Sequence, residues 1–117
     1  MSLDESLAVN ALRRWNRNRK LIQSGKVSRL DPDRQRGRPG GSTANYHEAR
    51  IVAVIDFELS LEAIPPDLRQ MLLLVHRDGY SAEAAAKMMG WSTRKGSYVL
   101  VDARLRLASV LDRKGML

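Results

Sequence analysis

A chain of 117 residues, 44% of them apolar, has room for one small core with at most an appendage. It has no cysteine, which excludes a disulfide framework and thiolate zinc sites and fits a reducing compartment, and no apolar run approaches the roughly 20 residues of a membrane span. A net charge of +7 points to a polyanionic partner. The opening Met-Ser-Leu-Asp-Glu-Ser lacks the basic start and apolar core of a secretion signal, so a cytoplasmic protein is expected, with no membrane partner.

The charge is unevenly placed. Residues 13–38 hold ten Lys/Arg against Asp31 and Asp33, so everything outside them sums to −1. Taken alone, such a run is as readily a solvated segment as a nucleic-acid contact.

In chain order, Ser2 followed three residues on by Glu5 has the spacing of a capping box. Leu3, Leu7, Ala11, Leu12 and Trp15 then recur at steps of three and four, with Arg13, Arg14, Arg17 and Lys20 off that stripe. This predicts an amphipathic helix over about 3–22. Its apolar face needs a partner: the domain's own core, a second copy, or another protein. Residues 24–45 are rich in Gly, Pro, Ser, Asp and Arg and cannot bury enough surface to order themselves, so a basic flexible linker is expected there.

A third segment, 46–117, is expected to be the helical domain. Asn45 with Glu48 suggests a cap for a helix over 46–60, which carries Ile51, Val52, Val54, Ile55, Phe57 and Leu59. Its Ile-Val-Ala-Val-Ile run has strand propensity, but no second strand exists to pair with it. Ile64-Pro65-Pro66-Asp67 breaks the chain and starts a helix over 67–78, with Leu68, Met71, Leu72 and Val75 on one face. Gly79 ends it.

Ser81 can cap a short helix to Met89, Gly90 can supply the left-handed residue that stops it, and Ser92 can cap a last helix over 93–113. There Leu100, Ala103, Leu107, Val110 and Leu111 keep a helical period. Helix, short Gly-containing turn and helix over 81–113 is the helix-turn-helix plan, whose second helix enters the DNA major groove. The expected fold class is all-α.

From Ile64 to Leu111 the chain resembles region 4 of primary-type bacterial sigma factors. The residues that carry the resemblance are Ile64-Pro65, Gly79-Tyr80-Ser81, Ala86, Met89-Gly90-Trp91-Ser92, Leu100, Ala103-Arg104 and Leu107, without a gap. The departures are Ala85 for the family's Ile, Lys95-Gly96 for its Thr-Val, and Val99 and Asp102 at surface positions. Gly96 stands where that family has a core valine, so Trp91 is expected to fill the vacated volume. The whole layout is a Trp-bearing first helix, a basic linker, a long apolar helix and a terminal helix-turn-helix. It resembles small phage late-gene regulators: antitermination protein Q of the phage 21 type and the ArpU and RinA types. That resemblance implies binding near late promoters, and for the Q type loading onto RNA polymerase and passage through terminators.

The start of the last helix offers Thr93, Arg94, Lys95, Ser97 and Tyr98 as DNA contacts. Arg or Lys can reach guanine O6/N7, and the hydroxyls are adaptable donors and acceptors. The plain alternative is a solvated helix surface. Arg104 and Arg106 suit phosphate contact or plain surface. Arg34, Arg36 and Arg38 are candidates in the linker, where Arg36-Gly37-Arg38-Pro39 resembles the core of an AT-hook that lays arginines in a narrow minor groove; nonspecific phosphate contact or a polymerase contact are the alternatives.

His47-Glu48 and His76-Arg77-Asp78 are the histidine neighbourhoods; two His without Cys make no convincing metal site, and a surface His complementing a helix end explains His76. No P-loop or nucleophile motif occurs, so neither catalysis nor a cofactor is expected. The leading expectation is a DNA-binding transcription regulator, a phage late-gene regulator or antiterminator, with double-stranded DNA and RNA polymerase as partners and its oligomeric state left open. The alternatives are a simple helix-turn-helix repressor or activator without polymerase contact, and a DNA-packaging protein like a small terminase subunit.

Overall fold

The computed structural model describes residues 1–23 and 42–117, with side chains in the second helix from Glu48 onward. Five helices and no strand occur among the described residues: α1 Leu3–Gln23, α2 Ser42–Glu62, α3 Pro66–His76, α4 Ala82–Met88 and α5 Thr93–Arg113. The last helix is the axis of the fold, touching each of the other four. No described helix is long and apolar enough to cross a membrane.

The capping box at the start of α1 closes in both directions. The Glu5 amide donates to Ser2 Oγ and the Ser2 amide to Glu5 Oε2, each at 3.2 Å. The apolar face of α1 is covered by the protein's own core, through Ala8, Ala11, Leu12 and Trp15. Leu3, expected on that face, is instead exposed, because at 100° per residue it points away from the side that buries Glu5, Ala8, Leu12 and Trp15. Trp15 stacks on Phe57 of α2 with ring centroids 5.4 Å apart.

The Ile-Val-Ala-Val-Ile run is helical, within α2. That helix begins at Ser42, upstream of the cap expected at Asn45, so the last residues of the expected linker are helical. Phe57, Leu61 and Ile64 are buried. The hydroxyl of Ser60, fully buried, donates to the Asp56 carbonyl at 2.9 Å and is thereby satisfied. Pro65 precedes α3, and Pro66 occupies its first position, where a missing amide hydrogen is no loss. The buried face of α3 is Met71, Leu72 and Leu74, while Leu68 and Val75 are only partly covered.

The α4–α5 unit is built from local signals. Ser81 Oγ accepts from the Ala84 amide at 3.1 Å, and Ser92 Oγ from the Lys95 amide at 3.1 Å. Between them Gly90, at φ +77°, reverses the chain in a Schellman motif. The Trp91 amide donates to the Ala86 carbonyl at 2.9 Å and the Gly90 amide to the Lys87 carbonyl at 3.0 Å.

Gly96 lies in the interior of α5, buried where that helix crosses α4. A Cβ there would overlap the Ala86 methyl and stand 3.3 Å from Ala86 Cα and 3.4 Å from Met71 Cε. The glycine therefore leaves no volume for Trp91 to fill, contrary to the expectation. The two helix backbones close over the missing side chain. Trp91 is half-buried at the rim, with Lys95 Nζ 5.0 Å from its ring centroid.

Candidate nucleic-acid interface

Burial of Gly96, Leu100, Ala103 and Leu107 fixes the rotation of α5. Steps of three and four on the opposite side bring Arg94, Ser97, Tyr98 and Val101 to one outward face. Thr93, Arg94, Lys95, Ser97 and Tyr98 are all exposed, so all five sequence candidates on α5 are accessible. They do not form one cluster. Arg94 lies over the Tyr98 ring, its Cζ 5.8 Å from the centroid, which pairs a planar cation with an aromatic hydroxyl. Lys95 turns aside to Trp91. Thr93 holds the first position, where free helix amides add partial positive charge. Arg34, Arg36 and Arg38 lie outside the described residues.

Beyond two turns the outward face of α5 changes character. Val101 and Leu105 are exposed apolar residues, followed by Ser109 and Asp112. Asp102 and Arg106 pair along the helix at 3.2 Å, both more than half exposed. Such a pair contributes about 0.5 kcal/mol or less and keeps Arg106 from standing as a free cation.

Arg104 is neither a phosphate contact nor plain surface. Its guanidinium lies inside the fold, where Nη1 meets Glu5 Oε1 at 3.5 Å and Nε donates to His76 Nε2 at 3.3 Å. The side chains of Arg104 and Glu5 are 15% and 9% exposed, so this ion pair is largely withdrawn from water. Asn16 Nδ2 donates to the His76 carbonyl at 3.4 Å, and Arg19 Nη2 donates to Asn16 Oδ1 at 2.8 Å. A chain of polar contacts thus ties α1 to the end of α3 and the middle of α5. The capping residue Glu5 serves twice, through Oε2 to the start of α1 and through Oε1 to Arg104.

His76 is likewise not a surface histidine complementing a helix end. Burial, then the neighbouring charges of Arg104 and Arg13, lower its pKa from 6.5 to about 4. At neutral pH the ring is uncharged and accepts the Arg104 hydrogen. The unfolded chain takes up a proton near pH 6.5, whereas the folded protein does so only near 4. Stability is therefore expected to fall as pH drops through that window. His76 is only partly buried, so the expected loss at pH 5 is about 1 kcal/mol. Thermal melts at pH 7 and pH 5 measure it, and His76→Gln is expected to flatten the difference. An equal pH response in both proteins would contradict this assignment.

The basic residues of α1 divide between these two environments. Arg19 is committed to Asn16 and to the Trp15 ring, 5.4 Å from its centroid. Arg13, Arg17 and Lys20 are exposed and recur at steps of four and three, which makes a cationic stripe on a folded helix. No sequence signal linked Glu5 to Arg104, since the partners lie near opposite ends of the chain.

Comparison with known proteins returns no match: no family's model, no curated protein and no solved structure matches this chain.

Proposed function

We propose that this protein is a DNA-binding transcription regulator of the phage late-gene type, acting as an antiterminator that also engages RNA polymerase. The α4–turn–α5 unit is its helix-turn-helix, and α5 enters the major groove with its first two turns. The observation that carries the reading is local. Two serine caps and a left-handed glycine fix the angle between α4 and α5, and Arg94, Ser97 and Tyr98 then stand exposed on one face at the start of the second helix. Arg94 suits guanine O6/N7, Ser97 and Tyr98 suit base edges or phosphate, and Lys95 can swing from Trp91 to the backbone. The stripe Arg13, Arg17 and Lys20 adds sequence-independent attraction that weakens with salt.

The similarity to sigma region 4 and to the Q, ArpU and RinA layouts supports the polymerase partner. A run-through transcription assay tests it, with bacterial RNA polymerase on a template carrying a promoter, the protein's DNA site and a terminator. Added protein is expected to raise the fraction of transcripts that pass the terminator only when the site is present. Binding to DNA with unchanged termination would favour the simple repressor or activator instead.

A further inference from the structure

The second helix presents an apolar surface with an acidic rim on this basic protein. With Phe57, Ser60 and Leu61 turned into the core, the opposite side of α2 carries Val52, Ile55 and Leu59, which are 55%, 50% and 52% exposed. Steps of three and four put them on a single stripe. Glu48 and Glu62 continue that stripe at its two ends by the same steps, and Asp56 and Glu58 border it. All four acids are exposed, and none forms an ion pair with a described residue. Single exposed apolar residues are ordinary, but a contiguous stripe with a charged rim marks an interaction surface.

The rim decides what can cover it. A second copy laid antiparallel about Ile55 would bring Glu48 of one protomer near Glu62 of the other. A parallel arrangement would set each acid beside its own counterpart. Either pairing juxtaposes like charges, and the same acids repel nucleic acid. A protein surface with an apolar centre and Lys or Arg at its edges complements both parts of the stripe. We propose that the outer face of α2 is a docking surface for such a basic-edged apolar protein element and, resting on the regulator reading above, that RNA polymerase supplies it. DNA and polymerase would then meet different helices, α5 and α2, and both could be held at once.

The full-length protein is titrated against purified RNA polymerase core enzyme and, separately, against duplex DNA. Ile55→Glu with Leu59→Glu is expected to weaken polymerase binding at least about tenfold, as loss of central apolar anchors does. Glu58→Lys with Glu62→Lys is expected to weaken it while leaving the apolar stripe intact. These sites are exposed, so thermal melts should stay at wild-type values, and DNA affinity should shift only with net charge, up for the Lys pair and slightly down for the Glu pair, a difference that added salt removes. The proposal is overturned if wild-type protein does not bind the polymerase, or if the variants bind it equally well. It is also overturned if the wild type is a dimer by light scattering that the Ile55→Glu change turns into a monomer. Failure of the wild type to bind duplex DNA would instead refute the regulator reading, so the two failures are distinct.

Discussion

Gly96→Val is expected to destabilise the protein by about 2–4 kcal/mol, although valine is what the sigma-type pattern places at this position. The Cβ would overlap the Ala86 methyl, which is the whole of a short side chain on a buried helix and has nowhere to rotate. Relief requires α4 and α5 to move apart, and that also loosens their contact with Met71. Gly96→Ala separates packing from propensity. Alanine favours a helix interior by about 1 kcal/mol over glycine, so propensity alone predicts a more stable protein. The close approach predicts a net loss of about 1–2 kcal/mol. Ala86→Gly in the Gly96→Ala background should restore part of it, because the colliding methyl is gone. Urea denaturation measures all three, and a Gly96→Ala protein as stable as wild type would rule out the close crossing.

The second large effect is expected at the ion pair between α1 and α5. Glu5→Gln keeps the shape of the side chain and a capping oxygen but leaves the Arg104 guanidinium, only 15% exposed, without a counter-charge. The loss is expected to be about 2–3 kcal/mol, because an uncompensated charge withdrawn from water is costly. Arg104→Met, which keeps the apolar stem, should cost a similar amount, and the double variant less than the sum of the two. The Asp102–Arg106 pair on the same helix supplies the contrast. It is exposed, and Asp102→Asn is expected to change stability by no more than about 0.5 kcal/mol. Equal small effects at both sites would show that the Glu5–Arg104 contact contributes nothing.

Legibility of the fold from sequence follows the range of the interactions involved. Ser81, Ser92 and Gly90 act on backbone groups a few residues away, so their roles can be read directly and the extents of α4 and α5 follow closely, whereas the helix expected to run to Gly79 ends at His76. The apolar period of α5 is equally plain and names its outward residues. The start of α2 is not, since Asn45 and Glu48 have the spacing of a cap while the helix already begins at Ser42. The burial of Arg104 and His76 is hidden in the sequence for a different reason. Each is polar and stands in a polar neighbourhood of sequence, and only the approach of α1 turns them inward. Gly96 illustrates a third limit. A missing side chain reads as empty volume in a sequence, whereas helices can close over it. The candidate DNA face on α5 was legible residue by residue, but its division into an Arg94–Tyr98 pair and a Lys95–Trp91 pair required the rotation of the helix.

The central claim is that the first two turns of α5 read duplex DNA, and selection of bound duplexes from a randomised pool tests it most directly. Wild-type protein is expected to enrich a defined motif. Arg94→Ala should lose discrimination at one base position, costing about 1–3 kcal/mol there while leaving weak, salt-dependent binding. If wild type enriches no motif, or if Arg94→Ala and Tyr98→Ala enrich the same motif with the same affinity, α5 does not read DNA.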